Sequence, residues 1–155
     1  MTAPVVVRCG DRGDRDFVRD LGRRSATTSV SAVRIAKHDD VLDAFERLAE
    51  FVYTRDHDLL IAEANGERAG FLLLLYDFPD EVTLTDQAFV AYTAVEPSAR
   101  GRGAGRAMLD AAEARARARG LRYVSLMVTE DNAPARALYD GAGFVTERRM
   151  LTKPL

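Results

Sequence analysis

Three alternate glycines and three arginines make up the part of this sequence with the clearest potential for chemistry. The stretch reads Ser98, Ala99, Arg100, Gly101, Arg102, Gly103, Ala104, Gly105 and Arg106. It lies between a strand-like run and an amphipathic helix. Glycine lets the backbone approach a ligand closely and adopt positive φ without steric cost. The first N–H groups of the helix have no intrahelical acceptor and, with the helix dipole, favour an anion. The stretch therefore predicts backbone amides that hold a phosphate-bearing ligand, with arginines adding positive charge.

Two common phosphate-binding fingerprints do not fit this stretch. The dinucleotide fingerprint needs a glycine three positions after its second glycine, and Arg106 and Met108 occupy the two available positions. The nucleotide P-loop ends in Gly-Lys-Ser/Thr, a triplet that the sequence lacks. Two other interpretations stay open: an Arg-Gly nucleic-acid segment, and a turn that only joins the strand to the helix.

Size and composition are those of an ordinary globular chain. Its 155 residues predict a single domain over residues 1–155. A net charge of −2 provides no overall basic surface for nucleic acid. No apolar run reaches the ~18 residues of a membrane helix, and charges interrupt the N-terminal region where a signal peptide needs an apolar core. Cys9 is the one cysteine, which excludes an internal disulfide. We expect a cytoplasmic protein without membrane or nucleic-acid partners.

Hydrophobic periodicity predicts the element order β-α-α-β-β-β-α-β-α-β. The predicted strands are residues 4–8, 59–64, 69–76, 88–95, 121–128 and 144–153, the last as one strand or two short ones. The predicted helices are residues 14–24, 39–52, 104–119 and 134–141. Asn65-Gly66 signals a hairpin turn, and residues 88–128 should form a right-handed parallel crossover. This pattern predicts an α/β protein with three layers, α-β-α, around a mixed sheet.

Two motifs in this order resemble the GNAT family of N-acetyltransferases. The acyl-coenzyme A motif of that family is Arg/Gln-x-x-Gly-x-Gly/Ala, and Arg100, Gly103 and Gly105 occupy its positions. The second motif is Asn132-x-x-Ala135-x-x-Leu138-Tyr139-x-x-x-Gly143-Phe144. The resemblance covers about residue 59 to the C-terminus, and the residues before it agree only in element order.

The resemblance implies a sheet splayed between its fourth and fifth strands, with acetyl-CoA as acyl donor in the gap. The coenzyme arm would pair with exposed main chain, and the N–H groups of residues 101–106 would hold the pyrophosphate. A backbone N–H near Val95 would polarise the thioester carbonyl. Tyr139 would protonate the leaving thiolate; its alternative role is packing against the sheet. Asn132 would bind the coenzyme arm, cap a helix, or do both.

The sequence departs from the family pattern at the general base. Several family members carry a glutamate on the strand before the glycines, whereas residues 88–95 include no acidic residue. The preceding connection carries four acidic residues, which are Asp77, Asp80, Glu81 and Asp86. They either attract a cationic amine or form a solvated loop, and Tyr92 is a weaker candidate base. The two histidines lack metal-ligand companions, so we expect no metal.

The resulting prediction is an enzyme that moves an acetyl group from acetyl-CoA to a primary amine of a small molecule or peptide by direct attack. The alternative is an acyl-CoA-binding sensor or interaction domain without turnover. The absent strand carboxylate favours the alternative, and Tyr139 favours the enzyme. The sequence specifies neither the acceptor nor the number of subunits, and a homodimer is one of the options.

Overall fold

A five-stranded mixed sheet with helices on both faces forms the centre of the molecule. The computed structural model describes residues 3–155. The strands are β1 (Val6–Cys9), β2 (His57–Ala64), β3 (Glu67–Leu75), β4 (Ala88–Val95) and β5 (Val124–Leu126). The helices are α1 (Arg15–Ser25), α2 (His38–Tyr53), α3 (Ala104–Ala118) and α4 (Ala133–Gly141). The strands lie side by side in chain order, antiparallel from β1 to β4 and parallel between β4 and β5.

The sheet separates two hydrophobic cores. Residues of α1 and α2, including Phe45 and Val52, pack with Phe71 on one face. On the other face α3 packs Met108 and Leu109 against the remaining side chains of β2, β3 and β4. The middle of β3 is buried on both faces, as its uninterrupted apolar run predicted. This arrangement confirms the three-layer α/β prediction.

The hairpin between β2 and β3 forms where the sequence placed it. Asn65 and Gly66 have φ values of 55° and 77°, the pair of positive φ angles that a two-residue hairpin turn requires. The predicted bounds of β4 are those observed, and the four predicted helices are all present. Within residues 3–155 the structure has no helix long and apolar enough to cross a membrane.

The prediction was wrong at the C-terminal end of the chain. Residues 144–155 form no strand, and β5 has three residues instead of the eight predicted. The N–H of Leu121 donates to the carbonyl of Ala116 at 3.0 Å and closes the end of α3. The first residue of the predicted strand therefore belongs to the end of the helix. A strand forms only where its main chain pairs with a neighbouring strand, and in the described chain residues 144–155 pair with none.

Candidate functional site

The glycine-rich loop, residues 98–106, leads into α3 and leaves main-chain N–H groups without a side-chain cap at the start of that helix. Gly101 and Gly103 have φ values of 73° and 84°, and a Cβ at either position would meet no atom within 4 Å. Gly103 is the N-cap of α3, and the helix has no side-chain cap. The first helical bond runs from the N–H of Ala107 to the carbonyl of Gly103, at 2.9 Å. The N–H groups of residues 104–106 therefore have no acceptor among the described residues.

The three arginines of this loop fall into two groups. Arg100 and Arg102 are exposed and form no ion pair with any described residue. Arg106 instead donates to Asp110 and to the carbonyl of Gly141, both at 2.9 Å. Two of the three guanidinium groups are thus available to an anion, and the third braces α3 against the end of α4.

Gly105 serves a packing role that the motif alone did not indicate. It lies in the first turn of α3, where a Cβ would come within 2.9 Å of Cδ2 of Leu138. Leu138 belongs to α4, so the missing side chain lets α4 approach α3 closely. The same glycine leaves its N–H unpaired in the first helical turn, and the two roles are compatible.

The sheet opens between β4 and β5 directly below this loop. The two strands pair at only three positions, the last of which joins Val90 to Leu126. Beyond Val90, β4 continues to Val95 with β3 on one side and no strand on the other among the described residues. The splay that the family resemblance implied is therefore present, and it leaves one edge of β4 unpaired along the gap.

A bulge decides which main-chain groups of β4 face the gap. Leu73 pairs with Tyr92 and Leu74 with Val90, so Ala91 is an extra residue in β4. Above the bulge, the N–H of Glu96 donates to Ala69 of the β3 side at 2.8 Å. Because successive residues of a strand alternate their hydrogen-bonding direction, the N–H and C=O groups of Val95 and Thr93 point to the opposite side. That side is the open gap, as the Val95 prediction requires.

Tyr139 enters the same region from α4. Its half-buried ring meets the ring of Phe144 edge to face, with centroids 5.8 Å apart. Its hydroxyl has no hydrogen-bond partner among the described residues. Burial, with a smaller contribution from nearby Tyr92, raises the pKa of the Tyr139 phenol. The group therefore stays protonated at neutral pH and is able to donate a proton.

Asn132 occupies the position of a helix cap. Its side-chain oxygen accepts a hydrogen bond from the N–H of Ala135 at 3.3 Å, at the start of α4. The capping interpretation is therefore confirmed. Its side-chain NH₂ remains to donate to a ligand, so a coenzyme contact stays a prediction.

Two of the four acidic residues in the connection before β4 are held by close ion pairs, whereas Glu81 and Asp86 are exposed. Asp80 is buried and accepts hydrogen bonds from the backbone N–H and hydroxyl of Thr83 at 2.8 and 2.7 Å, and it forms an ion pair with Arg148. Arg148, followed by Thr83, lowers the pKa of the Asp80 carboxyl. Asp77 pairs with Arg55 at 2.7 Å. Neither carboxylate is free to receive a proton from an amine.

The sequence singled out Tyr92 as a weaker candidate base but revealed neither of two polar pairs near the gap. The carboxylate of Glu96 accepts two hydrogen bonds from Arg24, at 2.6 and 3.1 Å, which ties the end of α1 to the start of the glycine loop. The hydroxyl of Tyr92 lies 3.0 Å from that of Ser25. Both pairs join residues about seventy positions apart, so no local pattern could have revealed them. Within residues 3–155 no three His, Cys, Asp or Glu side chains converge as a metal site would require.

The sequence profile of the acetyltransferase (GNAT) family matches residues 26–144, a span that includes the glycine loop, the open gap and Tyr139. The chain belongs to this family. The family resemblance inferred from the two motifs is confirmed.

Curated relatives extend the comparison. The chain is 29% identical over 126 residues to the L-2,4-diaminobutyric acid acetyltransferase of Nocardia farcinica, covering 79% of this chain and 62% of the relative. It is 38% identical over 86 residues to the mycothiol acetyltransferase of Beutenbergia cavernae, covering 56% of this chain and 28% of the relative. The chain thus spans less than two thirds of the length of either relative.

Solved structures share the fold of this GNAT chain. A provisionally named acetyl transferase from Pyrococcus furiosus has a TM-score of 0.81 at 24% identity, covering 97% of this chain and 99% of its own. The AAC(6')-Iy structure in complex with a CoA-containing bisubstrate analogue has a TM-score of 0.72 at 19% identity, covering 99% of both chains. The overall fold is therefore common to proteins of widely divergent sequence.

Proposed function

We propose that this GNAT chain transfers the acetyl group of acetyl-CoA to a primary amine. One observation carries the proposal: the bare N–H groups that begin α3 stand at the end of the unpaired edge of β4. A pyrophosphate at the helix start and an extended arm along the strand edge need these two features side by side. The open space at Gly101 and Gly103 fits a bulky anion, and Arg100 and Arg102 supply unpaired positive charge.

The main chain of β4 supports the acyl-transfer step. The amine nitrogen attacks the thioester carbonyl carbon, and the carbonyl oxygen becomes an oxyanion in the tetrahedral intermediate. The N–H of Val95 faces the gap and is the donor that we assign to this oxyanion. A donor already fixed by the sheet stabilises the developing charge without reorganisation. The N–H of Thr93 faces the same gap and is available to the coenzyme arm.

Tyr139 completes the step as proton donor. Collapse of the intermediate breaks the carbon–sulfur bond and releases a thiolate, which takes the proton of the Tyr139 hydroxyl. The amine loses its own proton to solvent, and Tyr139 is reprotonated from solvent, so the proton count balances. A thiol pKa near 8.5 lies below the pKa of an ordinary phenol, about 10, and burial raises the pKa of Tyr139 further. The proton transfer is therefore uphill and begins as a hydrogen bond from Tyr139 to the departing sulfur.

The acceptor enters as the free amine in this proposal. The strand β4 offers no carboxylate, Asp80 and Asp77 are paired, and Glu96 is held by Arg24. The rate of transfer should therefore rise with pH as the acceptor itself loses its proton. The relative named for diaminobutyric acid, a compound with two primary amines, supports an amine acceptor for this chain.

The deciding experiment compares two glycines. Gly103→Val places a β-branched side chain at a positive φ, beside the N–H groups that begin α3. Gly66→Val is the control: it places the same side chain at a positive φ in the β2–β3 hairpin. A Cβ meets no atom within 4 Å at either position. Each substitution strains its own turn by ~1–2 kcal/mol. We expect Gly103→Val alone to weaken acetyl-CoA binding, by about tenfold or more, as measured by calorimetry. Equal affinities for acetyl-CoA in both variants would contradict the assignment of the loop.

Turnover is measured separately. Thiol release from acetyl-CoA is followed with a panel of amines, peptides and aminoglycosides, with the wild-type chain and without enzyme. Amine-dependent release identifies a transferase and its acceptor class. Clear thermal stabilisation by acetyl-CoA without release for any amine would instead favour the sensor domain.

A further inference from the structure

The end of α1 holds a tyrosine of β4 in place beside the gap. Two consecutive residues of α1 contact β4 and the residue after it. Arg24 donates to Glu96 at 2.6 and 3.1 Å, and the hydroxyl of Ser25 lies 3.0 Å from that of Tyr92. Tyr92 belongs to the part of β4 beyond Val90, where the strand has no neighbour on the side of the gap. Its hydroxyl is therefore anchored where the coenzyme arm is proposed to lie.

The ring of Tyr92 is held between two other aromatic rings. Its centroid lies 4.8 Å from that of Phe45. It also stacks on Phe71, with centroids 6.0 Å apart and 15° between the ring planes. The bulge at Ala91 sets the direction in which the side chain leaves the strand. A ring locked by packing presents its oxygen at a fixed point, as a group that orients a substrate must do.

The direction of the hydrogen bonds at Tyr92 follows from the last group in their chain. The hydroxyl of Ser25 donates to the carbonyl oxygen of Gly22 at 3.2 Å, and a carbonyl can only accept. Because Ser25 has a single hydroxyl hydrogen, which goes to Gly22, the bond between Ser25 and Tyr92 is donated by Tyr92. The phenol oxygen of Tyr92 therefore keeps the capacity to accept a hydrogen bond, while its hydrogen is already committed.

Tyr139 has the opposite hydrogen-bonding capacity. Its hydroxyl has no acceptor among the described residues, so its hydrogen is available. Tyr92 packs with the core of α1 and α2, and Tyr139 packs with the core of α3 on the other face of the sheet. Burial raises the pKa of Tyr139, and Tyr92 is near enough to add to that rise. The gap is thus flanked by a phenol oxygen that accepts on one face and a phenol hydroxyl that donates on the other.

Attack by an amine needs a hydrogen-bond acceptor beside the nitrogen. As the nitrogen bonds to the thioester carbon, its lone pair points at that carbon and its N–H groups gain positive charge. A fixed acceptor on the side of the amine aims the lone pair and stabilises this charge. The carboxylates of Asp77, Asp80 and Glu96 are held by arginines, whereas the oxygen of Tyr92 retains this capacity.

We infer that the oxygen of Tyr92 accepts a hydrogen bond from an N–H of the acceptor amine and directs its attack, and that Ser25 is a positioning residue that fixes the polarity of Tyr92. This inference rests on the proposed transferase function. Tyr92 takes no proton, because its hydrogen-bond chain ends at the Gly22 carbonyl, which passes none on. The carbon–nitrogen bond forms, the nitrogen loses its proton to solvent, and the carbon–sulfur bond breaks as the sulfur takes the proton of Tyr139.

Steady-state kinetics of the full chain test this assignment with every amine of the panel that is a substrate. Tyr92→Phe keeps the ring and deletes the oxygen. We expect it to raise the KM for amine about tenfold and to leave the KM for acetyl-CoA and the pH profile unchanged. Ser25→Ala keeps the Tyr92 oxygen but releases its hydrogen, so the KM for amine should rise by only a few-fold.

The matched control is Tyr53→Phe. Tyr53 lines a cleft with Cys9 and Leu59 of β1 and β2, and its buried hydroxyl has no partner among the described residues. This variant should keep the KM for amine of the wild type. An unchanged KM in Tyr92→Phe would overturn the inference. A hundredfold loss of kcat in Tyr92→Phe with KM kept would also overturn it, because Tyr92 would then transfer a proton.

A binding measurement separates this inference from the proposed function. NMR spectra of the chain, isotope-labelled at tyrosine Cζ, report each phenol, and Tyr92→Phe identifies the Tyr92 signal. Addition of L-2,4-diaminobutyric acid and the other panel amines to the CoA-saturated chain should move that signal. If the signal moves but no amine is acetylated, the proposed function fails and the Tyr92 contact stands. If amines are acetylated and the signal does not move, the contact fails and the function stands. If neither occurs, both are rejected.

Discussion

Two polar sites of this molecule differ in whether their groups have partners. The carboxylate of Asp14 is 1% exposed and accepts hydrogen bonds from Arg8 at 2.8 and 2.9 Å, from Arg68 at 2.7 Å and from the N–H of Asp11 at 2.9 Å. At the start of α3, by contrast, consecutive N–H groups have no acceptor among residues 3–155. A satisfied buried charge holds elements together, whereas a row of unsatisfied donors at a surface is ready for a ligand.

The same contrast separates tyrosines and arginines across the molecule. The hydroxyl of Tyr76 donates to Asp58, and that of Tyr139 has no partner among the described residues. Arg106 is held by Asp110, and Arg102 is unpaired. In these two comparisons, the residue with a partner stabilises the fold and the residue without one lies beside the glycine loop or the gap. The predictions below test this contrast.

Loss of the Asp14 carboxylate should have the largest effect. Asp14→Ala removes the acceptor that joins β1, the turn before α1 and β3, and leaves four donor atoms of three residues unmatched. We expect the free energy of unfolding to fall by about 3 kcal/mol, as measured by urea denaturation at neutral pH. Affinity for acetyl-CoA at a temperature where the variant is folded should not change. Asp77→Ala, which breaks an exposed pair with Arg55, is the control and should cost less than about 1 kcal/mol.

The Asp14 effect should also depend on pH. Arg8 above all, with the N–H of Asp11 and Arg68, lowers the pKa of Asp14 in the folded chain. A lowered folded-state pKa gives stability that is fully present above the unfolded value of about 3.9 and is lost as pH falls below it. The difference between wild type and Asp14→Ala should therefore shrink when denaturation is repeated near pH 3. A difference that grows toward low pH would contradict this assignment.

Removal of the unpartnered hydroxyl of Tyr139 should affect catalysis and little else. Tyr139→Phe leaves the packing against Phe144 intact and deletes the proton donor. We expect kcat for amine acetylation to fall by about ten- to a hundredfold. This loss is small for a general acid because a thiolate leaves readily even without a proton donor. KM and the thermal midpoint should stay close to wild type. Tyr76→Phe is the matched control: it removes the hydrogen bond to Asp58, so stability should fall while kcat is kept.

The comparison of Arg102 with Arg106 should give the smallest difference, which is measured in the affinity for acetyl-CoA. Arg102→Ala removes an unpaired charge beside the bare amides, and Arg106→Ala removes a guanidinium already held by Asp110 and Gly141. We expect Arg102→Ala to weaken acetyl-CoA binding by a few-fold, and the loss should diminish at high salt because exposed charges are screened. Arg106→Ala should change binding less and lower the thermal midpoint slightly. A larger and salt-dependent binding loss in Arg106→Ala would reverse the assignment.

The sequence by itself determined the elements that depend on neighbours along the chain. The hairpin at Asn65 and Gly66, the strand β4 and the loop that leads into α3 all follow from local backbone preferences and apolar spacing. The backbone conformation at Gly101 and Gly103 was predictable because positive φ is a preference of the single residue. The position of Tyr139 followed from the second motif, whose residues lie in α4 and directly beside it along the chain.

The tertiary structure alone decided what depends on distant partners. It paired Asp80 with Arg148 and Glu96 with Arg24, so these carboxylates hold the fold and are not free to take a proton from the amine. It set the last pair of β4 and β5 at Val90 and Leu126, within the splay that the resemblance implied, and it made Gly105 the contact point for Leu138. It also left residues 144–155 without a strand, although a last strand was predicted over residues 144–153. A hydrogen-bonding or ionic partner far along the chain leaves no trace in local spacing, and the state of a polar group depends on that partner.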